Sequence, residues 1–575
     1  MKSDLQQAVN LCKGSFATAG FFSLFINFLM LVPALYMLQL YDRVLTSSSS
    51  STLVMLTLIM VLLFITMGGL EWARGMILIR TSARLEMLLN VRLFGVTFKQ
   101  ALYGGGAAAS FQPLEDLTGL RQFLTGTGLF AFFDAPWLPI YIAVMFMFHE
   151  WFGWMAVGTA IILIILAFIN EKLTAETITK ANDIAISGRG LVNKNLRNAE
   201  VVESMGMLAA IREDWLKGVN KVLVLQAKAS VRASSIQALT KTIRLMSQSL
   251  VLGVGAYLVL LGEISPGLMI AGSILLGRAL APIDMMIGSW KGFVAARGQY
   301  ARLNELLMKI PEELPKMSLP APDGELVADK IMVSAPMSRT PILKGISLSL
   351  APGESLGIIG PSASGKSTLA RALLGVWPAL QGKVRLDGVD VFSWNREELG
   401  PSIGYLPQDI ELFEGTISAN ICRFGEGEPD KIVAAAKLAD VHTMILGLPN
   451  GYDTFIGADG GVLSGGQRQR IGLARAVYGE PKLVLLDEPN SNLDDQGEVA
   501  LAKALTVLKQ KKTTVIIITH RAAVLGQVDK LLLMRDGEMI NFGPREEVME
   551  ASKKKLEAKK SETVSSTAVT VPPIF

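Results

Sequence analysis

A glycine- and serine-rich stretch at residues 360–367, GPSASGKS, has the residue types and spacing of a loop that binds phosphate. It fits the pattern G-x-x-x-x-G-K-[ST], follows a strand-like apolar run and precedes a helical sequence. Backbone amides of such a loop cradle the α- and β-phosphates of a nucleotide, while the lysine reaches the β- and γ-phosphates. The sequence therefore predicts an ATP site formed by Gly360, Pro361, Ser362, Ala363, Ser364, Gly365, Lys366, Ser367 and Thr368.

An acidic pair ends a second strand-like run. The stretch KLVLLDEP at 482–489 places Asp487 at the end of four apolar residues and Glu488 directly after it. A carboxylate in this position can hold Mg²⁺, directly or through water, and the next carboxylate can polarise the water that attacks a phosphate. We therefore expect Ser367 and Asp487 to bind Mg²⁺ and Glu488 to be catalytic.

Two further polar residues follow strand-like runs. Gln408 comes after SIGYLP, and His520 closes TVIIITH. Open α/β sheets bind their ligands at the carboxyl ends of the strands, so both side chains are expected near the phosphates. We predict that Gln408 contacts Mg²⁺ or the attacking water and that His520 contacts the γ-phosphate or the same water.

A second candidate phosphate site lies about a hundred residues after the first. The stretch LSGGQ at 463–467 is a turn of small residues that opens into a basic helix, and free amides at a helix start attract phosphate. Ser464, Gly465, Gly466 and Gln467 are the candidate residues. A complete phosphate loop is already present, so this stretch raises the question of which nucleotide it serves.

The elements that must position these residues form a domain at about 325–548. Apolar runs of strand length alternate there with helical stretches, which indicates a buried, largely parallel sheet with helices on both faces. A proline-rich linker at 311–324 precedes this domain. The charged and then Ser/Thr/Val-rich tail at 549–575 is predicted to be disordered.

The first 310 residues are predicted to form a membrane domain. The chain is 50% hydrophobic and only 18% charged, which indicates that part of it lies in a bilayer. Long apolar runs predict six spans, near 16–41, 52–73, 129–148, 151–169, 245–262 and 266–288. The first run is long and lacks a cleavage site, so it is expected to remain as an anchor.

Charge sets the expected orientation and excludes one class of partner. Lys and Arg concentrate in the long segments 71–128 and 170–244, which places these segments and both termini in the cytoplasm. The net charge of +4 is small for 575 residues, so nucleic acid is not an expected partner. Asp134, Arg278 and Asp284 fall within spans, where they either line a polar path for cargo or pair with neighbouring helices.

Residues 330–545 resemble the ATPase domain of ATP-binding cassette (ABC) transporters. The order and spacing of the motifs agree: Walker A at 360–367, the Q-loop Gln408, the signature LSGGQ at 463–467, Walker B at 483–488, the D-loop SNLD at 491–494 and the switch His520. The resemblance implies that Glu488 is the general base. It also implies that two such domains close head-to-tail, so that Ser464 and its neighbours grip, in trans, the ATP bound by the other copy.

Six spans before one ATPase domain resemble a half-transporter that must form a homodimer. The implied fold is an all-α, six-helix transmembrane domain of the type I ABC exporter fold, with helices extended into the cytoplasm, followed by an α/β P-loop ATPase domain. A pump of this kind uses ATP and Mg²⁺ and lies in the bacterial inner membrane. The alternative of a channel regulator that does not pump is disfavoured by the intact catalytic residues.

Three stretches resemble the type I secretion exporters more narrowly: YMLQLYDRVL at 36–45, FFDAPWLPIYIAVMFMFH at 132–149 and NAEVVESMGM at 198–207. That resemblance implies a periplasmic adaptor, an outer-membrane channel and an unfolded polypeptide cargo with a C-terminal secretion signal. The alternative within the transport class is an exporter of lipid, peptide or small drug.

The sequence departs from the ABC pattern at three points. The stretch ADKIMVSAPMSRTPIL lacks the aromatic residue on which relatives stack adenine, so weak discrimination between ATP and GTP is expected. Ala363 stands where many relatives have glycine, a change that is tolerated if the local backbone does not need positive φ. Asn492 replaces a more usual alanine in the D-loop.

Overall fold

A computed structural model describes residues 3–104, 110–196, 198–312, 317–336, 338, 340–457, 463–491, 493 and 495–551. The chain divides into two compact units. The first comprises Met1–Ala101 and Ala108–Glu312, and the second comprises Leu102–Ala107 and Glu313–Phe575. Most of the tail predicted to be disordered, residues 552–575, lies outside the described residues, as do 313–316 of the predicted linker.

The described part of the first unit is helical. Its elements are α1 (Asp4–Leu29), α2 (Val32–Gln39), a π-helical turn (Leu40–Val44), α3 (Leu45–Ser47), α4 (Ser50–Tyr103), α5 (Gln112–Thr125), α6 (Thr127–Asp134), a 3-10 turn (Ala135–Trp137), α7 (Leu138–Phe148), α8 (Glu150–Leu196), α9 (Ala199–Ser204), α10 (Leu208–Leu260) and α11 (Pro266–Lys309).

Six helical segments of the described chain are long and apolar enough to cross a membrane. They are Asp4–Ser47, Ser50–Tyr103, Gly128–Phe148, Glu150–Leu196, Leu208–Leu260 and Pro266–Lys309. The prediction of six apolar helices is confirmed. Helix α4 has 54 residues and is therefore about 80 Å long, far more than the ~30 Å of a bilayer core. Several of these helices thus continue well outside the membrane, as expected.

The two carboxylates predicted to fall within spans, Asp134 and Asp284, are paired across helices. Asp134 accepts hydrogen bonds from Arg74 Nη1 at 3.1 Å and from Asn27 Nδ2 at 2.9 Å, which joins α6 to α4 and α1. Asp284 on α11 lies 2.9 Å from Arg244 on α10. Of the two alternatives for these carboxylates, pairing between helices is the one observed. Arg278 is exposed on α11.

The second unit contains the strands and shorter helices. The strands are β1 (Leu326–Ser334), β2 (Pro341–Leu350), β3 (Ser355–Ile359), β4 (Gln381–Leu386), β5 (Val389–Asp390), β6 (Ile403–Leu406), β7 (Gly415–Thr416), β8 (Phe455–Ile456), β9 (Leu483–Asp487), β10 (Thr514–Ile518), β11 (Lys530–Arg535) and β12 (Glu538–Pro544). The helices are α12 (Lys366–Leu373), α13 (Arg396–Leu399), α14 (Ile417–Ile421), α15 (Pro429–Leu438), α16 (His442–Leu446), α17 (Gly465–Val477), α18 (Asp495–Gln510) and α19 (Ala522–Leu525), with 3-10 turns at Gly400–Ser402 and Gly451–Asp453.

A six-stranded sheet organises this unit, in the order β12-β11-β3-β10-β9-β6. Neighbouring strands from β11 to β6 run parallel, and β12 is an antiparallel edge strand. A second, antiparallel sheet has the order β2-β1-β4-β5, and β7 pairs with β8. The predicted largely parallel sheet is confirmed.

Two hydrophobic cores cover the opposite faces of the large sheet. Alternate residues of a strand point to opposite faces, and β9 follows this rule. Leu483 and Leu485 pack in one core with residues of α12. Val484 and Leu486 pack in the other with residues of α17. The helix after the phosphate loop and the helix after LSGGQ therefore lie on different faces of one sheet.

Candidate functional site

Four neighbouring parallel strands end at one edge of the sheet, and each leads to a predicted site residue. The phosphate loop follows β3, His520 follows β10, Asp487 ends β9 and Gln408 follows β6. Ile518 pairs with both Ile358 and Asp487, so the strand ends are level with one another. The exposed His520 lies at this same edge. The sheet therefore brings together residues that are up to 160 positions apart in sequence, from Gly360 to His520.

The side chain of Lys366 forms hydrogen bonds within the phosphate loop. Lys366 Nζ donates hydrogen bonds to the carbonyl oxygens of Gly360 and Pro361, at 2.8 and 2.9 Å. Helix α12 begins at Lys366, directly after Gly365 with φ of 95°. The amides of its first turn lack partners within the helix and point toward the loop. This is the arrangement of a loop that can bind an anion at a helix start.

Ala363 has a positive φ of 64° in the middle of this loop. The expectation that alanine is tolerated here assumed that the backbone does not need positive φ, and that assumption is wrong. The Cβ atom makes this left-handed conformation unfavourable by roughly 1–2 kcal/mol relative to glycine. The phosphate loop of this chain therefore carries backbone strain at an exposed position.

Asp487 has the environment of a cation ligand. It is only 3% exposed. Burial is the main cause that raises the pKa of its carboxyl, and the negative charge of Glu488 raises this pKa further. A hydrogen bond from Ser367 and the positive charges of Arg371 and Lys366 lower the pKa in part. A buried carboxylate next to a hydroxyl is a pair of hard oxygen donors of the kind that Mg²⁺ prefers. Ser367 and Asp487 thus fit the Mg²⁺ ion predicted from the sequence.

Gln408 contacts Glu488 rather than the Ser367 and Asp487 pair. Its Nε2 donates to Glu488 Oε2 at 3.1 Å. Glu488 itself has a positive φ of 50°, and its backbone N–H donates to the carbonyl of Ile518 at 2.9 Å. Unusual backbone conformations of this kind are concentrated at functional sites. The structure places Gln408 at the predicted base, whereas its predicted role as a metal ligand stays a prediction.

Gln469 is a site residue that the motif pattern did not reveal. It is 1% exposed on α17, and its Nε2 donates to the carbonyl of Glu488 at 3.4 Å and to that of Pro489. Helical spacing puts it on the same buried face as Gly472, Leu473 and Ala476. A glutamine on the apolar face of a helix is the signal that could have identified it.

The signature stretch begins α17 with a capping box. Ser464 Oγ accepts from the N–H of Gln467 at 3.3 Å, and Gln467 Oε1 accepts from the N–H of Ser464 at 2.8 Å. Gly465 and Gly466 form the first residues of the helix. Helices α17 and α12 pack on opposite faces of the sheet, and no hydrogen bond among the described residues joins Ser464 to the phosphate loop of its own chain. Asn492 and Asp494 of the D-loop lie outside the described residues.

Comparison with known families gives the class of the protein. Residues 343–491 match the family described as ABC transporter, and residues 16–280 match the ABC transporter transmembrane region. The chain belongs to the ABC transporters. It is a multi-pass membrane protein with an ATPase coupled to transport.

The type I secretion system ATP-binding protein PrsD of Rhizobium meliloti (strain 1021) is 43% identical over 548 residues, covering 95% of this chain and 94% of PrsD. The leukotoxin export ATP-binding protein LtxB of Aggregatibacter actinomycetemcomitans is 29% identical, over 92% of this chain and 76% of LtxB. The solved structure of a bacterial Atm1-family ABC exporter with ATP bound has a TM-score of 0.80 at 21% identity, covering 98% of this chain and 99% of that one. This last likeness shows a shared fold.

Proposed function

We propose that this chain is the ATP-driven inner-membrane exporter of a type I secretion system. It moves unfolded polypeptide with a C-terminal secretion signal out of the cytoplasm. It acts as a homodimer, with its termini and ATPase domain in the cytoplasm, together with a periplasmic membrane-fusion adaptor and an outer-membrane channel. The observation that carries this proposal is the similarity to PrsD, which extends over 95% of the chain.

Nucleotide binding uses the phosphate loop and the edge of the sheet. The amides of Gly365 and of the first turn of α12 bind the phosphates, and Lys366 moves from the loop carbonyls to the β- and γ-phosphates. Ser367 and Asp487 hold Mg²⁺, which neutralises charge on the phosphates when bound. Binding of a cation favours the ionised form of Asp487, whose burial otherwise raises its pKa.

Hydrolysis uses the carboxylate beside this pair. Glu488 accepts the proton of the attacking water, since it is positioned by its backbone hydrogen bond to Ile518 and by the side chain of Gln408. Gln408 holds that water or the carboxylate in place. His520, at the end of the neighbouring strand β10, contacts the γ-phosphate or the same water.

The second phosphate site belongs to the nucleotide of the other copy. Ser464, Gly465, Gly466 and Gln467 lie on α17, on the opposite face of the sheet from α12, so they are available to a neighbouring domain. In the homodimer they grip the ATP that Lys366 of the other chain holds. ATP therefore joins the two domains, and its hydrolysis releases them.

The test is the ATPase activity of the full-length protein in lipid nanodiscs, with and without a polypeptide that ends in a secretion signal. Stimulation by this polypeptide, and none by the same polypeptide without its signal, is the expected result. Stimulation by lipids or small drugs, with no response to the polypeptide, would overturn the proposal in favour of the alternative exporter class.

A further inference from the structure

The turn that follows α14 contains two successive residues in the left-handed conformation. Arg423 has φ of 60° and Phe424 has φ of 59°. A residue with a Cβ atom adopts this conformation at a cost, and it persists only where the surrounding structure holds it. In this turn the conformation goes together with an extensive set of contacts made by the Arg423 side chain.

The guanidinium of Arg423 forms four hydrogen bonds, all to backbone carbonyl oxygens. Three of these carbonyls lie at the end of α17: Nε donates to Arg475 at 3.1 Å, and Nη2 donates to Ala476 and to Tyr478, each at 3.2 Å. The last carbonyls of a helix lack partners within it and form the negative end of its dipole, so a cation is favoured there. Nη1 donates to the carbonyl of Gly400, in the turn that leads into β6, at 2.9 Å. Arg423 therefore joins the end of α17 to the start of β6.

Helix α17 and strand β6 are closely packed and run in opposite directions. A Cβ atom on Gly404 would overlap with the carbonyl oxygen of Ala476, so this approach requires glycine. A Cβ atom on Gly472 would lie 3.0 Å from side-chain atoms of Leu406 and Ile410. The first part of β6 thus faces the end of α17, and the end of β6 faces a residue one turn earlier in the helix.

The opposite ends of the two elements meet at Glu488. Gln408, two residues after β6, donates to Glu488 Oε2, and Gln469 in the first half of α17 donates to the Glu488 carbonyl. Helix α17 has 13 residues and is about 20 Å long. A helix moves as a rigid element, so a displacement at its end is carried to its start. A shift at the Arg423 end would therefore move both glutamines relative to Glu488.

We propose that Arg423 is a positioning residue for ATP hydrolysis. Its side chain fixes α17 to the start of β6 at the ends far from Glu488, and in this way it keeps Gln408 and Gln469 where they hold the glutamate. Its role is to act through these two side chains rather than to contact the nucleotide. The inference rests on the proposed function, because it takes Glu488 as the base of the hydrolysis that drives export.

The experiment removes the guanidinium and keeps the backbone conformation. Arg423→Gly is suited to this, because glycine adopts the observed φ of 60° without strain. Arg423→Lys keeps the positive charge but donates from one nitrogen atom, so it reaches fewer of the carbonyls. The matched control is Lys512→Gly, since Lys512 is an exposed cation with φ of 58° in the turn between α18 and β10. Steady-state hydrolysis gives kcat and KM for the full-length proteins in lipid nanodiscs, at a temperature well below their denaturation midpoints.

Arg423→Gly is expected to lower kcat at least about tenfold, because misplacement of a catalytic group by about 1 Å can cost ~100-fold in rate. KM for ATP is expected to stay within about twofold of the wild-type value, since the phosphate loop leads into α12 on the other face of the sheet. Arg423→Lys is expected to give a kcat between those of Arg423→Gly and the wild type. Lys512→Gly is expected to change neither constant.

A second readout separates positioning from a general loss of structure. Gln408→Ala removes one of the contacts that Arg423 is inferred to maintain. Loss of Arg423 is therefore expected to lower kcat by a smaller factor in this background than in the wild type. A merely structural role would instead give two independent losses that multiply. If Arg423→Gly fails to accumulate, Arg423→Lys with and without Gln408→Ala decides the same question.

The inference is overturned if removal of the guanidinium leaves kcat unchanged or raises KM alone. It is also overturned if its effect and that of Gln408→Ala multiply, or if Lys512→Gly causes the same loss. The proposed function survives each of these results as long as the signal-bearing polypeptide stimulates ATP hydrolysis by the wild type. Absence of that stimulation, by contrast, counts against the proposed function itself and leaves the comparison of kcat between variants in place.

Discussion

The side-chain amide of Gln408 donates a hydrogen bond to Glu488 Oε2 over 3.1 Å. The backbone carbonyl of the same glutamate accepts from Gln469 on α17. Glu488 is therefore contacted from the end of β6 and from the helix that follows the signature stretch. A carboxylate held in this way has a defined position before nucleotide arrives, as a general base requires.

Glu488→Gln is expected to retain ATP binding and to lower turnover by at least about 100-fold, because the amide cannot accept the proton of the attacking water. Binding is measured with a fluorescent ATP analogue and turnover by phosphate release. Glu480→Gln is a matched control, since that glutamate pairs with Lys511 at the surface. Hydrolysis near the wild-type rate in Glu488→Gln would show that another group is the base.

Ser464→Arg is expected to spare ATP binding and abolish turnover. The bulky cation at the start of α17 prevents this segment from gripping the nucleotide of the other copy, while the phosphate loop on the opposite face of the sheet is untouched. Thr506→Arg, at an exposed position on α18, is the control. Retained hydrolysis in Ser464→Arg would contradict the proposed head-to-tail dimer.

Ala363→Gly is expected to stabilise the ATPase domain by about 1 kcal/mol, because glycine adopts the observed φ of 64° without strain. For a domain of this size the denaturation midpoint rises by about 2–4 °C. Differential scanning fluorimetry without nucleotide measures the shift. The control is Ala351→Gly, because Ala351 is exposed and does not have a positive φ. This substitution is expected to give no stabilisation. A lowered midpoint in Ala363→Gly would disprove the strain.

Asp487→Asn is expected to stabilise the nucleotide-free domain while abolishing Mg²⁺-dependent hydrolysis. The pKa of Asp487 is higher in the folded state than in the unfolded state. Below the unfolded-state pKa the side chain is protonated in both states and does not lower the free energy of unfolding. As pH rises from there through the folded-state pKa, ionisation of the buried carboxyl lowers the free energy of unfolding. The stability gain from asparagine therefore grows between acidic pH and pH 8. Asp430→Asn, at an exposed position, tests for a general charge effect. A gain that is independent of pH would contradict this assignment.

GTP is expected to compete with ATP within a factor of about ten, a difference of only ~1.4 kcal/mol, since the stretch before the phosphate loop has no aromatic residue to stack on the base. Steady-state hydrolysis of the two nucleotides measures the ratio of kcat/KM. A preference for ATP well beyond tenfold would show that other side chains recognise adenine.

The sequence by itself predicted which residues are candidates for chemistry and how many helices are long and apolar enough to cross a membrane. Each candidate residue follows an apolar run within a few positions, as Lys366, Asp487 and His520 do. Such a pattern involves only neighbouring residues, so it can be read from the sequence. The six apolar helices are equally local, because bilayer thickness fixes the length of a span. A parallel sheet also follows from its buried runs, because its strands are covered on both faces.

The tertiary structure alone decided which of these residues meet. The positive φ of Ala363 is imposed by the loop around it. Alanine rarely adopts this conformation, so the residue type at this position did not predict it. The contact of Gln408 with Glu488 depends on β6 and β9 being neighbours in the sheet. The paired residues Ile403 and Leu483 of these strands are 80 positions apart in the sequence. The packing of α12 and α17 on opposite faces of one sheet is likewise a property of the folded chain. Pairings of this kind are set by packing between distant segments, which short-range patterns do not encode.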